Sequence, residues 1–98
     1  MAAKTYTEVK SDDKLIDIIE YLHQQNWPVS GAQIARALDI PHATVMSHIS
    51  VLIRRKWIRV NNDMYEPGIR LAGMYSAYKM GLVGKIDVLH TELKLLEA

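Results

Sequence analysis

The 98-residue chain contains no cysteine. That excludes disulfide staples, thiol catalysis and thiolate zinc sites, so stability must come from packing. No stretch approaches the roughly 18 consecutive apolar residues of a membrane span. Met1 to Lys10 also lacks the apolar core of a secretory leader. There is no glycine-rich phosphate loop, nucleophile elbow or close carboxylate pair, so the chain does not read as an enzyme and no catalytic residue is expected. His23, His42, His48 and His90 are dispersed, with no pair at four-residue helical spacing and no carboxylate to complete a ligand set. No metal or other cofactor is expected.

What is present is globular composition, with 49% hydrophobic and 23% charged residues. Such a chain folds, and its length suits one domain. The formal net charge of +1 conceals an uneven distribution. Residues 1–30 carry three lysines against five acids, whereas residues 31–70 carry six basic residues (Arg36, Arg54, Arg55, Lys56, Arg59 and Arg70) against three acids. The central stretch is the basic part, and location of charge matters more than its total for binding a polyanion.

Residues 1–10 show no sustained periodicity and read as an N-terminal arm. Ser11 or Asp12 can cap a first helix whose apolar positions Leu15, Ile18, Ile19 and Leu22 recur at helical spacing, ending near Gln25 with Asn26 in the left-handed position. Ser30 and Gln33 form a capping box for a short second helix carrying Ile34, Ala35 and Leu38. Pro41 ends the intervening turn and opens a third helix to about Arg55, with Val45, Ile49 and Leu52 on its inner face. Residues 57–60 and 64–66 are strand-like and flank the turn residues Asn61, Asn62 and Asp63, which predicts a hairpin. Leu71, Met74, Tyr75 and Tyr78 predict a fourth helix ending near Gly81, and Ile86, Leu89, Leu93 and Leu96 mark a fifth after Gly84, with Leu82 just before it continuing the seam. Trp27, Trp57 and the tyrosines at helical spacing are read as core rather than as platforms for stacked bases.

The expected fold is therefore mostly α: a winged helix-turn-helix, with a three-helix core and a β-hairpin wing over 11–70, and two additional C-terminal helices over 71–98. In that arrangement the third helix is held outward to enter a DNA major groove. At ~100° per residue its outer face carries Ala43, Ser47, Ser50 and Arg54. Short side chains, hydroxyls and methyl groups suit close approach to base edges, so His42, Ala43, Thr44, Met46, Ser47 and Ser50 are the candidate base contacts. Candidate phosphate contacts are Ser30, Arg54, Arg55, Lys56, Arg59 and Arg70, and Asn61 and Asn62 at the wing tip suit a minor groove.

From Ser30 to Arg70 the sequence resembles the winged-helix domain of the IclR family of bacterial transcription regulators. The resemblance rests on VSGAQIARALDIPHATVMSHISVLIRRKWI and MYEPGIRLAGM, above all on Ile34-Ala35-x-x-Leu38-x-Ile40-Pro41-x-x-Thr44-Val45 and Tyr65-x-x-Gly68. It implies DNA binding through the 41–55 helix, base contacts from Ala43, Thr44 and Ser47, a wing at Arg59 to Glu66, and a place in the bacterial cytosol or nucleoid. Ser47 stands where the family commonly has a longer side chain and Lys56 where it has glycine. The effector domain that follows in the family is not among these residues.

The expected function is sequence-specific binding of double-stranded DNA by a transcriptional regulator that occupies an operator, with a winged-helix protein-docking module as the alternative. The seam Leu82, Ile86, Leu89, Leu93 and Leu96 is too short to stand alone and must pack on something. A homodimer is preferred to packing within the chain, because two recognition helices roughly 34 Å apart match one turn of DNA.

Overall fold

The structure, a computed structural model, describes residues 5–98. Residues 1–4 of the expected arm lie outside the described residues. The elements follow in the order α1 (Lys10–His23), α2 (Gly31–Leu38), α3 (His42–Arg54), β1 (Ile58–Asn61), β2 (Met64–Pro67) and α4 (Ile69–Glu97). They divide into two compact units, one ending at Gly68 and the other spanning Ile69–Ala98. This is the mostly helical winged helix-turn-helix expected from the sequence, with a different C-terminal end.

The first unit is built on nine buried aliphatic residues. Ile18 and Leu22 of α1, Ile34 of α2, and Val45, Ile49 and Leu52 of α3 are joined by Val29, Ile40 and Ile58. Each helix contributes its apolar stripe, so the three stripes close over one another and over the hairpin. Ile58 is the one buried residue of β1, and Trp57 and Tyr65 pack against the cluster from the wing. The strands pair antiparallel, with Arg59 opposite Glu66 and Asn61 opposite Met64. Asn62 and Asp63 have φ of 52° and 60°, the paired left-handed conformations that a two-residue hairpin turn requires. Val29 adds a bridge that the sequence did not announce, exchanging backbone hydrogen bonds with Tyr65 at 2.9 and 2.7 Å. The wing is thereby fastened to the segment between α1 and α2.

Several helix ends differ from expectation. The N-cap of α1 is Val9, with no side-chain hydrogen bond, while Asp12 and Asp13 fall within the first turn and favour the helix dipole there. The helix closes at His23 through a right-handed Gln24, and Asn26 is not among the residues of positive φ. At α2 half of the capping box forms. The Ser30 hydroxyl accepts from the Gln33 backbone N–H at 3.1 Å, but the Gln33 side chain donates to the Tyr21 hydroxyl at 3.3 Å instead of returning to Ser30. The tertiary partner on α1 has displaced the local one.

The two helices expected at the C-terminus are one, α4, unbroken over 29 residues. Gly81 and Gly84 lie inside it, and no glycine has a positive φ. Each costs about 1 kcal/mol relative to alanine, but the surrounding Lys79, Met80, Leu82 and Lys85 are good helix formers and no proline follows. None of the residues of α4 is buried. Among the described residues, no helix is long and apolar enough to cross a membrane. The reading of the aromatics as core fails at Trp27, which is 80% exposed in the α1–α2 connection, and at Tyr75 and Tyr78. Trp27 lies in a bend that leads its ring away from the cluster, and the two tyrosines belong to the unburied α4.

Gly68 has a steric role. A Cβ there would lie 2.4 Å from the Lys56 carbonyl oxygen, and the Gly68 N–H donates to the Trp57 carbonyl at 2.8 Å. Backbone, unlike a side-chain tip, cannot move aside cheaply. Gly68→Ala is therefore expected to destabilise the first unit by about 1–3 kcal/mol, measured as a lower urea midpoint. An unchanged midpoint would show that the close approach is not required.

Candidate nucleic-acid interface

The site begins with the turn between α2 and α3. Asp39 takes a left-handed conformation, φ 53° and ψ 47°, and the Ile40 N–H bonds back to the Ala35 carbonyl at 3.0 Å. That closure stops α2 before Pro41 can, and an aspartate tolerates the geometry better than most residues. Ile40 then enters the core, and Pro41, in extended geometry, is the N-cap from which α3 starts. Burial of Val45, Ile49 and Leu52 fixes the rotation of α3 about its axis.

The opposite face is exposed. Ala43, Ser47, Ser50 and Arg54 lie along it, as their spacing predicted. No acidic residue occurs anywhere in α3. The Ser47 hydroxyl donates to the Ala43 carbonyl at 3.0 Å, which leaves its lone pairs as acceptors. Thr44 is half-buried on one flank. His42 and Met46 form the other flank and face α2, because a Cβ on Gly31 would meet the Met46 sulfur at 2.6 Å and His42 Nε2 at 3.3 Å. Met46 is half-buried and packs on the core, while His42 is exposed. Val51, 44% exposed on the Thr44 side, is an addition that the sequence reading missed. Its placement one turn after Ser47 could have revealed it, had its apolar character not suggested burial.

Cations gather at the end of α3. Arg54, Arg55 and Lys56 are all exposed. Helix α3 closes in a Schellman arrangement, with the Trp57 N–H on the Leu52 carbonyl at 2.9 Å and the Lys56 N–H on the Ile53 carbonyl at 3.1 Å. This places Lys56 at φ 69°, the position where glycine is favoured. Arg59 on β1 is tied to Glu66 on β2 through Nε and Oε1 at 2.7 Å, the arginine side chain 66% exposed and the glutamate 18%. Asn61 and Asn62 are exposed at the wing tip. Ser30 is half-buried, its hydroxyl occupied in capping α2. Arg70 is exposed in the first turn of α4 and belongs to the second unit. Among the described residues, no group of three or more histidines or carboxylates is placed to hold a metal ion.

Two helices joined by a tight left-handed turn, the second presenting an acid-free face and followed by a basic closure and a hairpin, define a winged helix-turn-helix domain. Residues 12–61 match the IclR helix-turn-helix domain, and the chain belongs to that family of DNA-binding modules of transcription regulators. The crystal structure of an IclR family transcriptional regulator from Brucella abortus shares the fold, with a TM-score of 0.64 at 17% sequence identity over 79% of this chain. The match covers 32% of that regulator, so this chain spans about a third of its length. Among curated proteins, none matches the chain.

The left-handed Lys56 generates a test. Removing the side chain relieves a conformation that costs a non-glycine residue about 1–2 kcal/mol. Lys56→Gly is expected to raise stability by about 1 kcal/mol in urea unfolding. A loss of stability would show that the lysine stem contributes packing that outweighs the backbone strain.

Proposed function

We propose that the protein binds double-stranded DNA sequence-specifically and regulates transcription by occupying an operator. The observation that carries this reading is the outward face of α3, free of acids and bordered at its C-terminal end by three exposed cations. In this reading α3 enters the major groove. Ala43, Val51 and the Thr44 methyl meet thymine methyl groups, while Ser47 accepts from an adenine or cytosine amino group and Ser50 reaches a neighbouring base edge. His42 and Met46 border the groove. Arg54, Arg55, Lys56 and Arg59 contact phosphates, with Ser30 at the start of α2 and Arg70 beyond the wing as further anchors. Asn61 and Asn62 approach the minor groove. Family membership also supports a place in the bacterial cytosol or nucleoid. The exposed seam of α4 supports a homodimer that binds paired half-sites, which together supply affinity that one module lacks.

Selection from a random duplex pool tests the specificity, with enrichment of a two-fold symmetric site expected. Failure to enrich any sequence would favour protein docking by this domain. The phosphate assignment is tested separately. Arg54→Glu combined with Arg55→Glu is expected to weaken binding to every duplex by at least tenfold and to flatten the dependence of log affinity on log salt by roughly two. Unchanged affinity and slope would remove both arginines from the interface.

The Arg59–Glu66 pair makes a further expectation. Glu66 holds Arg59 in a charge-assisted contact, and a carboxylate beside a phosphate opposes binding. Glu66→Gln is expected to tighten duplex binding several-fold with little change in stability, since exposed pairs contribute about 0–1 kcal/mol. Weaker or unaltered binding would place Arg59 away from the DNA.

A further inference from the structure

As one unbroken helix, α4 merges the two apolar sets of the sequence into a single stripe running from Leu71 through Tyr75, Tyr78 and Leu82 to Leu96. Successive spacings of four residues at Tyr78, Leu82 and Ile86 shift the phase there, so the strict heptad seam is confined to the half after Lys79. Its residues are open to solvent, from 42% at Leu82 to 84% at Leu96. Charge is also polarised along this helix. Arg70, Lys79 and Lys85 occupy its first part without an acid, and Asp87, Glu92 and Glu97 lie in its second part with Lys94.

We infer that α4 pairs with α4 of a second copy in antiparallel orientation, in the register that sets Ile86 against Leu89 and Leu82 against Leu93 of that copy. This inference rests on the homodimer reading above and specifies its geometry. Three observations select it. With the seam as the a and d positions, Lys85 and Glu92 both fall at g, and g faces g across an antiparallel pair. In the chosen register Lys85 of each chain lies beside Glu92 of the other, twice by symmetry. Side chains tilt toward the N-terminus of their own helix, which brings these two heads together.

Sliding the pair by one heptad destroys the match. In one direction Lys85 meets Lys85 of the second copy, and in the other Glu92 meets Glu92. A parallel pair fares no better. It sets Glu92 beside Glu97 of the second copy and stacks Lys79 on Lys79 at an a position, a like-charge contact inside the seam. In the antiparallel register Lys79 lies near Leu96 at the end of the overlap, where its ammonium reaches water. The charges that look merely balanced in the composition therefore specify both orientation and register.

The absence of native cysteine allows a direct test on the full chain. Sedimentation is expected to show a dimer. Under mild oxidation Leu82→Cys alone is expected to remain uncross-linked, while a mixture of Leu82→Cys and Leu93→Cys chains yields the mixed disulfide dimer. Lys85→Glu is expected to weaken dimerisation on the order of tenfold, with recovery on adding Glu92→Lys to the same chain. A self-cross-linked Leu82→Cys dimer would show a parallel pair, overturning the geometry and leaving the homodimer intact. A dimer with no cross-link in the mixture and no response to Lys85→Glu would place the contact elsewhere and overturn the inference. A chain that sediments as a monomer would overturn the homodimer reading as well.

Discussion

Everything functional in the first unit follows from the burial of Val45, Ile49 and Leu52. These three residues share one side of α3, and together with Ile18, Leu22 and Ile34 they form the centre of the cluster. A helix whose inner stripe is locked in this way cannot rotate, so the residues half a turn away are committed to solvent. The chemistry of the outer face is thus decoupled from stability. Ala43, Ser47 and Ser50 are free to suit a groove because the core does not need them, and the cations that close the helix can remain exposed. Ile40 and Val29 extend the same constraint to the α2–α3 turn and to the wing, whose bridge through Tyr65 holds the hairpin beside the helices.

Much of this was legible because the signals are local. Apolar spacing located the three helices, Ser30 marked the start of α2, Pro41 the start of α3, and the asparagine-rich turn the wing. The site face followed from periodicity alone. The unexpected features depend on contacts between distant residues. Gln33 leaves its local cap for Tyr21, Val29 forms its isolated β-bridge only because Tyr65 comes to it, and Lys56 accepts a left-handed backbone because the chain must turn from α3 into β1. Gly81 and Gly84 misled for a different reason. Glycine after an apolar stripe is a common helix end, yet here helix formers on both sides carry the helix through. Trp27 misled because size and apolarity predict burial on average, whereas the bend that carries it directs the ring outward.

The second unit poses a different physical problem. Helix α4 is rich in leucine, valine and tyrosine yet buries none of its residues. A lone helix of this kind leaves an apolar stripe in water, a situation that association relieves. The placement of Lys85 and Glu92 one heptad apart on the same flank of that stripe would give such an association a direction. In the proposed function these two features would serve one end: the first unit would present a reading face, and the second would bring two copies of it onto one duplex. The half-site arrangement would be set by α4 and the bases read by α3, so sequence preference and spacing can vary independently.

The central claim is that the outward face of α3 is the surface that meets DNA. Titration of the isotope-labelled protein with a short duplex, followed residue by residue in amide NMR spectra, tests it most directly. The account requires the largest shifts at Ala43, Ser47, Ser50 and Arg54, with smaller ones at Arg55, Lys56 and the wing tip. Shifts confined to α4 or to the surface of α1, with α3 silent at saturating duplex, would contradict it.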